Sequence, residues 1–346
     1  MANASKKMRS LHFSGHALTI SAAAAMLAGC GAPLQSPNAA SGIGAPSVMM
    51  QDILSRASAA WRGRDRTPSW MASRAKTQDL LYITNPGTGA VFAYSYPAGK
   101  PTGNLTGFKT PMGDCVDQTG HVWIVDSGYS SIFEYAHAGT KRIATLKNSG
   151  AKNILGCSVD PTSGNLAVTE LGAETGGAVC IYANAKGTPK KYTAPFLTFP
   201  YFCAYDDAGN LFIDGLDGNY AFAFGELSSG SSSLESIALD QNVSFPGGVQ
   251  WDGTHVAIGD QLAQKHHQSA IYQVTVSGST GSVVGTTQLS GSCDILQFAV
   301  SGSSVIAPDN CLNSAGFYAY PAGGAPTKTL TGFQYPVGAA VSVASH

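Results

Sequence analysis

The chain has 346 residues, enough for one large all-β domain or two ordinary ones, and a formal net charge of −1. So neutral a balance gives no field to draw in nucleic acid or an anionic membrane surface. Charged residues are only 12% of the total and glycine contributes 41 positions, a profile of short strands and tight turns that excludes helical bundles.

Residues 1–29 read as an export signal. Lys6, Lys7 and Arg9 make a positive start, Ala17 to Ala28 is apolar, and Leu27-Ala28-Gly29-Cys30 places small residues before a cysteine. The apolar run is shorter than the ~20 residues a spanning helix needs. The box resembles the bacterial lipobox, which implies a diacylglycerol on Cys30 and a lipid-anchored place in the cell envelope, periplasmic or surface-exposed. An ordinary signal peptide with a chance cysteine is the alternative. Residues 30–76 then read as the lipidated cysteine and a flexible tether, Gly-, Ala-, Ser- and Pro-rich from Gly31 to Pro46, with one short helix expected between Val48 and Trp61.

From residue 77 to residue 346 the chain repeats. Pro111-Met112-Gly113-Asp114-Cys115-Val116-Asp117 has five relatives, at Ile154–Asp160, Pro200–Asp206, Pro246–Asp252, Ile295–Ser301 and Pro336–Ser342. Their last residues, 117, 160, 206, 252, 301 and 342, are 43, 46, 46, 49 and 41 apart. A period in the forties with short strands is that of a four-stranded propeller blade. Each of the first five segments is followed by a second β-rich run, as at His121–Asp126 or Ser304–Asp309, then a third and a weaker fourth. The last segment has no second strand after it, and Leu80–Asn85 is a second strand with none before it. Joining them closes a six-bladed, all-β propeller and leaves no free inner edge. Tyr96-Pro97-Ala98-Gly99 recurs as Tyr320-Pro321-Ala322-Gly323, turn chemistry between third and fourth strands.

Val116-Asp117, Gly120-His121-Val122-Trp123-Ile124-Val125-Asp126-Ser127-Gly128 and Ile132-Phe133-Glu134-Tyr135 together resemble an NHL-type repeat. Over residues 80 to 343 that resemblance implies a six-bladed propeller grouped with the TolB-like and gluconolactonase-like ones. The group includes binding scaffolds, lactonases and lyases, so the resemblance does not choose an activity.

The second strands end in polar residues: Asn85, Asp126, Glu170, Asp260 and Asp309, with Asp214 beside Gly215 in the fourth blade. Strand alternation brings these ends to one ring face, where convergent oxygens would suit Ca²⁺; otherwise each bonds the backbone of its own turn. His266 and His267 lie in a long loop on the same face, as an acid/base candidate beside Asp260 or as solvated residues. His121 and His255 open second strands at the opposite face, a structural position. Phe92, Tyr94, Phe133, Tyr135 and Tyr182 recur in third strands as blade-to-blade core. No Gly-x-Ser-x-Gly elbow, P-loop, His-Glu-x-x-His or Cys-x-x-Cys is present. The reading is therefore a non-enzymatic lipoprotein propeller that binds a small molecule or protein partner. No cofactor is expected unless the acidic ring holds Ca²⁺, and the membrane is reached only through the lipid. The alternatives are a metal-dependent lactonase or hydrolase using that ring, and a purely structural envelope protein.

Six cysteines follow Cys30, an even number in an exported chain. Cys115 is fifth in its seven-residue segment and Cys157 fourth in the next, so their side chains point at each other across one blade interface. Cys157 and Cys203 are both fourth, point the same way and should not pair. Cys203 faces back toward Cys180, which stands further from the channel. Cys293 and Cys311 fall in loops on one ring face, placed for a bridge. The alternative is that the inner-strand cysteines are small buried thiols.

Overall fold

The computed structural model describes residues 67–345 except Ser149, Lys152, 174–175 and 265–267. Cys30, the expected helix between Val48 and Trp61, and the pair His266 and His267 lie outside the described residues. Six antiparallel sheets form a six-bladed β-propeller of four-stranded blades. Blade 1 is built from both ends of the described chain. Its inner strand, Ala339–Ser342, pairs with the second strand, Leu80–Asn85, through Leu80↔Ser342 and Ile83↔Ala339. Blade 2 takes Pro111–Val116 as inner strand, then Val122–Asp126, Ser131–Tyr135 and Arg142–Lys147. The inner strands of blades 3, 4 and 5 are Ile154–Val159, Phe199–Tyr205 and Pro246–Trp251.

The folded part begins earlier than the expected residue 77. Trp70–Met71 adds a fifth strand to the outer edge of blade 1, pairing with Asn104 and Gly103. The outer strands of blades 4 and 5 also depart from a simple repeat: Ala238–Leu239 leaves blade 4 and joins blade 5 as a parallel fifth strand. In blade 6 the inner strand shrinks to Ala299–Ser301. Its ladder pairs Ala299 with Ile306, so the next positions outward meet Pro308, which has no N–H to donate. In blade 4 Tyr220 sits in the turn before the third strand with φ of 64°, and that strand starts at Phe222.

Third-strand aromatics pack between blades as expected. Phe92 and Tyr94 meet Phe333 at ring separations of 5.8 and 6.0 Å, and Phe133 and Tyr135 meet Phe108 at 5.9 and 6.0 Å. His137 ties the closure together: Nδ1 is 2.7 Å from Ser342 Oγ on the last strand, and Nε2 is 3.1 Å from the carbonyls of Ala75 and Gln78.

Four inner strands carry the same bulge. Between Pro111 and Asp114, Ile154 and Cys157, Pro200 and Cys203, and Pro246 and Val249, two residues oppose one on the second strand. In blades 3 and 4 a second-strand side chain takes the N–H of the third segment residue, and the unbulged blade 1 makes the same bond. Gly156 N–H donates to Thr169 Oγ1 at 2.9 Å, Gly338 N–H to Thr84 Oγ1 at 2.7 Å, and Phe202 N–H to Asp214 Oδ1 at 2.9 Å. Thr169 passes its own proton to the Tyr201 carbonyl of the next blade at 2.6 Å, and Thr84 does the same to the Met112 carbonyl.

Candidate functional site

The polar strand ends have a common geometry that the repeat alignment did not reveal. Each accepts from the backbone N–H two residues before its own blade's inner segment. Asp126 takes Lys109 at 2.7 Å, Asp260 takes Ser244 at 2.8 Å, Asp309 takes Cys293 at 2.8 Å and Asn85 takes Gln334 at 2.7 Å. The second carboxylate oxygen is also used: Asp126 Oδ1 accepts from Thr110 and Tyr129, and Asp260 Oδ1 from Phe245 and Leu262. Burial raises Asp126, Asp260 and Asp309 above the ordinary carboxylate range, and these backbone donors oppose the rise. Glu170 binds Lys191 at 2.7 Å instead and accepts from the Cys180 thiol at 3.7 Å. Its strand runs on to Ala173, so Glu170 is not a strand end. Asp214 lies inside its strand, fully buried, with Oδ2 unpartnered.

Among the described residues, no three of Asp126, Glu170, Asp214, Asp260 and Asp309 bring oxygens within 4.8 Å of one another. Most are clamps for the loop that feeds the inner strand, because each strand end lies one ladder rung from the start of that loop.

The disulfide geometry follows the alternation argument. Cys115 and Cys157 are bonded across the interface of blades 2 and 3 with Cα atoms 5.7 Å apart, and Cys293 and Cys311 are bonded at 6.0 Å. Cys180 and Cys203 are free and buried. Desolvation lifts the Cys180 thiol to about 11, so it is protonated and unreactive at neutral pH. The fifth segment position stitches each blade to the next in other blades as well. Ser158 Oγ accepts from Tyr205 N–H at 3.0 Å, and Gln250 Oε1 from Val300 N–H at 2.6 Å.

The ring axis is not open from face to face. Second segment residues Met112, Leu155, Tyr201, Leu296 and Val337, from five blades, belong to one buried apolar cluster with Phe202. They plug the axis on the side of the strand-end clamps. Beyond the plug the axis widens into a cup of about 430 Å³, lined by inner-strand residues of all six blades from Cys115 and Cys157 to Trp251, Phe298 and Val341. It opens where the inner strands end, the face opposite the strand-end residues: Pro111 pairs with Asp126, whereas Val116 pairs with Val122 at the other end of the ladder.

Between plug and cup lie two residues that the sequence reading did not single out. Gln297 and Phe202 occupy the third segment position, which is glycine in the other four blades. A Cβ on Gly113 would stand 2.6 Å from the Leu155 carbonyl and 2.8 Å from Gln297 Oε1, and one on Gly338 would stand 2.6 Å from Asp114 Oδ1. The glycines thus make room for the two side chains at the hub. Gln297 reaches past blade 1 to blade 2, where Oε1 accepts from Asp114 N–H at 3.2 Å and Nε2 donates to the Asp114 carbonyl at 2.8 Å. Asp114 itself is 1% exposed, and neither carboxylate oxygen has a hydrogen-bond partner among the described residues. Burial pushes its carboxyl well above the usual carboxylate range, opposed only by its own backbone amide. A signal existed: at the fourth segment position Asp114 stands against Cys157, Cys203, Val249, Phe298 and Ala339, the one ionisable carboxyl in the set.

No protein-family model matches the chain, and no curated protein matches it. Solved structures do match. A chain from the nidogen/laminin complex superposes with a TM-score of 0.63 at 13% identity, over 78% of this chain and 100% of that one. A functionally unknown protein from Desulfotomaculum acetoxidans DSM 771 gives 0.56 at 10% identity, over 77% and 99%. A protein of unknown function from Bacteroides caccae gives 0.58 at 10% identity, over 77% and 99%. At such identities the likeness shows the fold alone.

Proposed function

We propose that this chain is a non-enzymatic binding propeller of the bacterial cell envelope, anchored by a lipid on Cys30, which receives a small molecule or a partner's side chains in the axial cup. The cup carries the reading, because it is a concavity to which every blade contributes and the opposite end of the axis is plugged. Two disulfides accord with an oxidising compartment outside the cytoplasm. Among the described residues no helix is long and apolar enough to cross a membrane, so the anchoring proposal rests on the Cys30 box. We read the repeats as NHL-like, within the TolB-like and gluconolactonase-like group, on the residues quoted for that resemblance. The hydrolase alternative loses its motivation, since the acidic ends serve as loop clamps.

Two experiments test this. Replacing Cys30 by Ser should move the protein from the membrane to the soluble fraction; unchanged membrane association overturns the lipoprotein part. A thermal-shift screen of sugars, amino acids and short peptides should find compounds that stabilise the native chain and lose their effect in Ala340→Trp, which fills the cup. Hits that bind Ala340→Trp equally well, or no hits at all, overturn the cup as the binding site.

A further inference from the structure

Blades 2, 4 and 5 each carry a polar cluster where the inner strand turns into the second strand, and blade 2 has a different chemistry there. The aspartate that closes the inner segment is Asp117, Asp206 or Asp252, and its N–H donates to the carbonyl of His121, Asn210 or His255 opposite. The third strand adds the residue paired with Trp123, Phe212 or Ala257, which is Glu134, Glu226 or Gln273. In blades 4 and 5 a side-chain amide donates to the aspartate. Asn210 Nδ2 reaches Asp206 Oδ2 at 2.8 Å, and Gln273 Nε2 reaches Asp252 Oδ2 at 3.0 Å. Blade 2 has an amide at neither place. His121 Nδ1 stands instead between two carboxylates, 2.7 Å from Glu134 Oε1 and 4.0 Å from Asp117 Oδ2. A proton on Nδ1 serves only the nearer of the two, because 4.0 Å is beyond hydrogen-bond reach.

A divalent ion would serve both. One atom each from Asp117, His121 and Glu134 lies within 4.8 Å of the other two. Zn²⁺, with bonds of about 2.0–2.2 Å, sets tetrahedral ligand atoms about 3.3–3.6 Å apart, so small rotations of these half-buried side chains reach its spacing. Asp117 is already oriented for it. Oδ1 accepts from Thr119 N–H at 2.9 Å, Thr119 Oγ1 at 2.6 Å and His121 N–H at 3.0 Å, which leaves Oδ2 toward the imidazole with Trp123 Nε1 beside it at 3.4 Å. A groove of about 260 Å³ runs between blades 2 and 3 past Asp117 and Glu134, a way in for an ion and room for a water. Its other wall carries Asp160, which accepts from the hydroxyls of Thr162 and Ser163. The exposed Lys186 stands there too and, among the described residues, forms no ion pair with Asp117 or Glu134. One imidazole nitrogen with two carboxylate oxygens suits Zn²⁺ better than Ca²⁺ or Mg²⁺, which take oxygen alone.

We propose that Asp117 Oδ2, His121 Nδ1 and Glu134 Oε1 form a zinc site, with water from the groove in the fourth position. The imidazole binds in its neutral form, its remaining proton on Nε2. The ion ties the end of the inner strand to the third strand of blade 2, two residues along from the Cys115–Cys157 bridge. Its open position faces the seam with blade 3. The assignment does not depend on what the axial cup binds.

The test is isothermal calorimetry on the full chain after chelator treatment, titrated with ZnCl₂. Two substitutions copy the other blades: Glu134→Gln installs the residue of blade 5, and His121→Asn that of blade 4. Both should keep the native melting temperature without zinc. Each should weaken zinc binding at least about 100-fold, since loss of an outer-shell partner alone costs about 10–100-fold. Absence of heat in the native chain overturns the site. Native affinity in either variant also overturns it, because the zinc would then sit on other side chains. A readout on the native chain needs no variant: zinc should suppress labelling of His121 by diethyl pyrocarbonate, followed by mass spectrometry. Labelling of His121 that zinc leaves unchanged overturns the assignment even if neither variant folds.

Discussion

Gln297 clasps the backbone of Asp114 from two blades away, accepting from its N–H at 3.2 Å and donating to its carbonyl at 2.8 Å. In blades 1 and 3 a second-strand hydroxyl, of Thr84 and Thr169, accepts from the third segment N–H, of Gly338 and Gly156; in blade 2 the clasp falls one residue later, on Asp114. Blade 2 has Val125 at the equivalent second-strand position, with no polar atom to offer, and its inner strand is held from across the axis at Asp114 instead.

Gln297→Ala is therefore expected to lower stability by about 1–3 kcal/mol, since both polar groups of the Asp114 peptide lose their partner in a poorly solvated hub. Urea unfolding would measure it. A loss below a few tenths of a kcal/mol would mean that cup water replaces the amide at no cost.

The strand-end carboxylates should behave as clamps. Asp126→Ala leaves the N–H groups of Lys109 and Thr110 without their acceptor and is expected to cost about 2–3 kcal/mol. Asp126→Asn, which keeps one acceptor oxygen, should recover a large part. The losses should be the same with and without a chelator, a comparison that separates a clamp from a metal ligand.

Asp214 should make stability depend on pH in a defined direction. Burial raises its carboxyl well above the usual range, so the folded chain holds a proton that the unfolded chain releases near pH 3.9. Its contribution is fully present below that unfolded value and is lost as pH rises toward the folded one. Asp214→Asn retains the acceptor for Phe202 N–H and removes the titration. The variant should gain on the native chain as pH rises from 4 to 8, measured by denaturant midpoints; an advantage that grows toward low pH would contradict the assignment. Asp214→Thr should also be tolerated, because Thr84 and Thr169 fill the equivalent slot in other blades.

Replacing both Cys115 and Cys157 by Ser should destabilise the protein by up to about 4 kcal/mol, the chain-entropy value for a closed loop of some 42 residues. Cys180 and Cys203 should label with a thiol reagent only after unfolding, since both are buried. Labelling of either in the native protein would show that blades 3 and 4 open locally.

Removing residues 336–346 takes the inner strand from blade 1, the Ser342 contact from His137 and Val337 from the axial plug. Cooperative thermal unfolding should weaken or vanish in that truncation. A melting temperature equal to that of the full chain would rule out closure by the last strand.

What the chain determines by itself is what depends on spacing and alternation. The segment period predicts six blades, and the orphan strands at either end predict their closure, because an unpaired inner edge has no other partner within reach. Parity within the segment places Cys115 against Cys157, since side chains on a strand can point only to one neighbouring blade or the other. The same local reasoning identified Asp126, Asp260 and Asp309 as a matching set without revealing their roles. A carboxylate at a strand end looks alike in sequence whether it faces an ion or a backbone amide. That choice was made by the bulge and the loop before each inner strand, which bring Lys109, Ser244 and Cys293 within reach. The hub is likewise a product of tertiary structure. Met112, Leu155, Tyr201, Leu296 and Val337 are far apart in sequence and meet only when the ring closes. Asp114 becomes a buried, unsatisfied carboxyl only once they have sealed the axis beside it, because desolvation is a property of everything packed around a group and not of the strand that carries it.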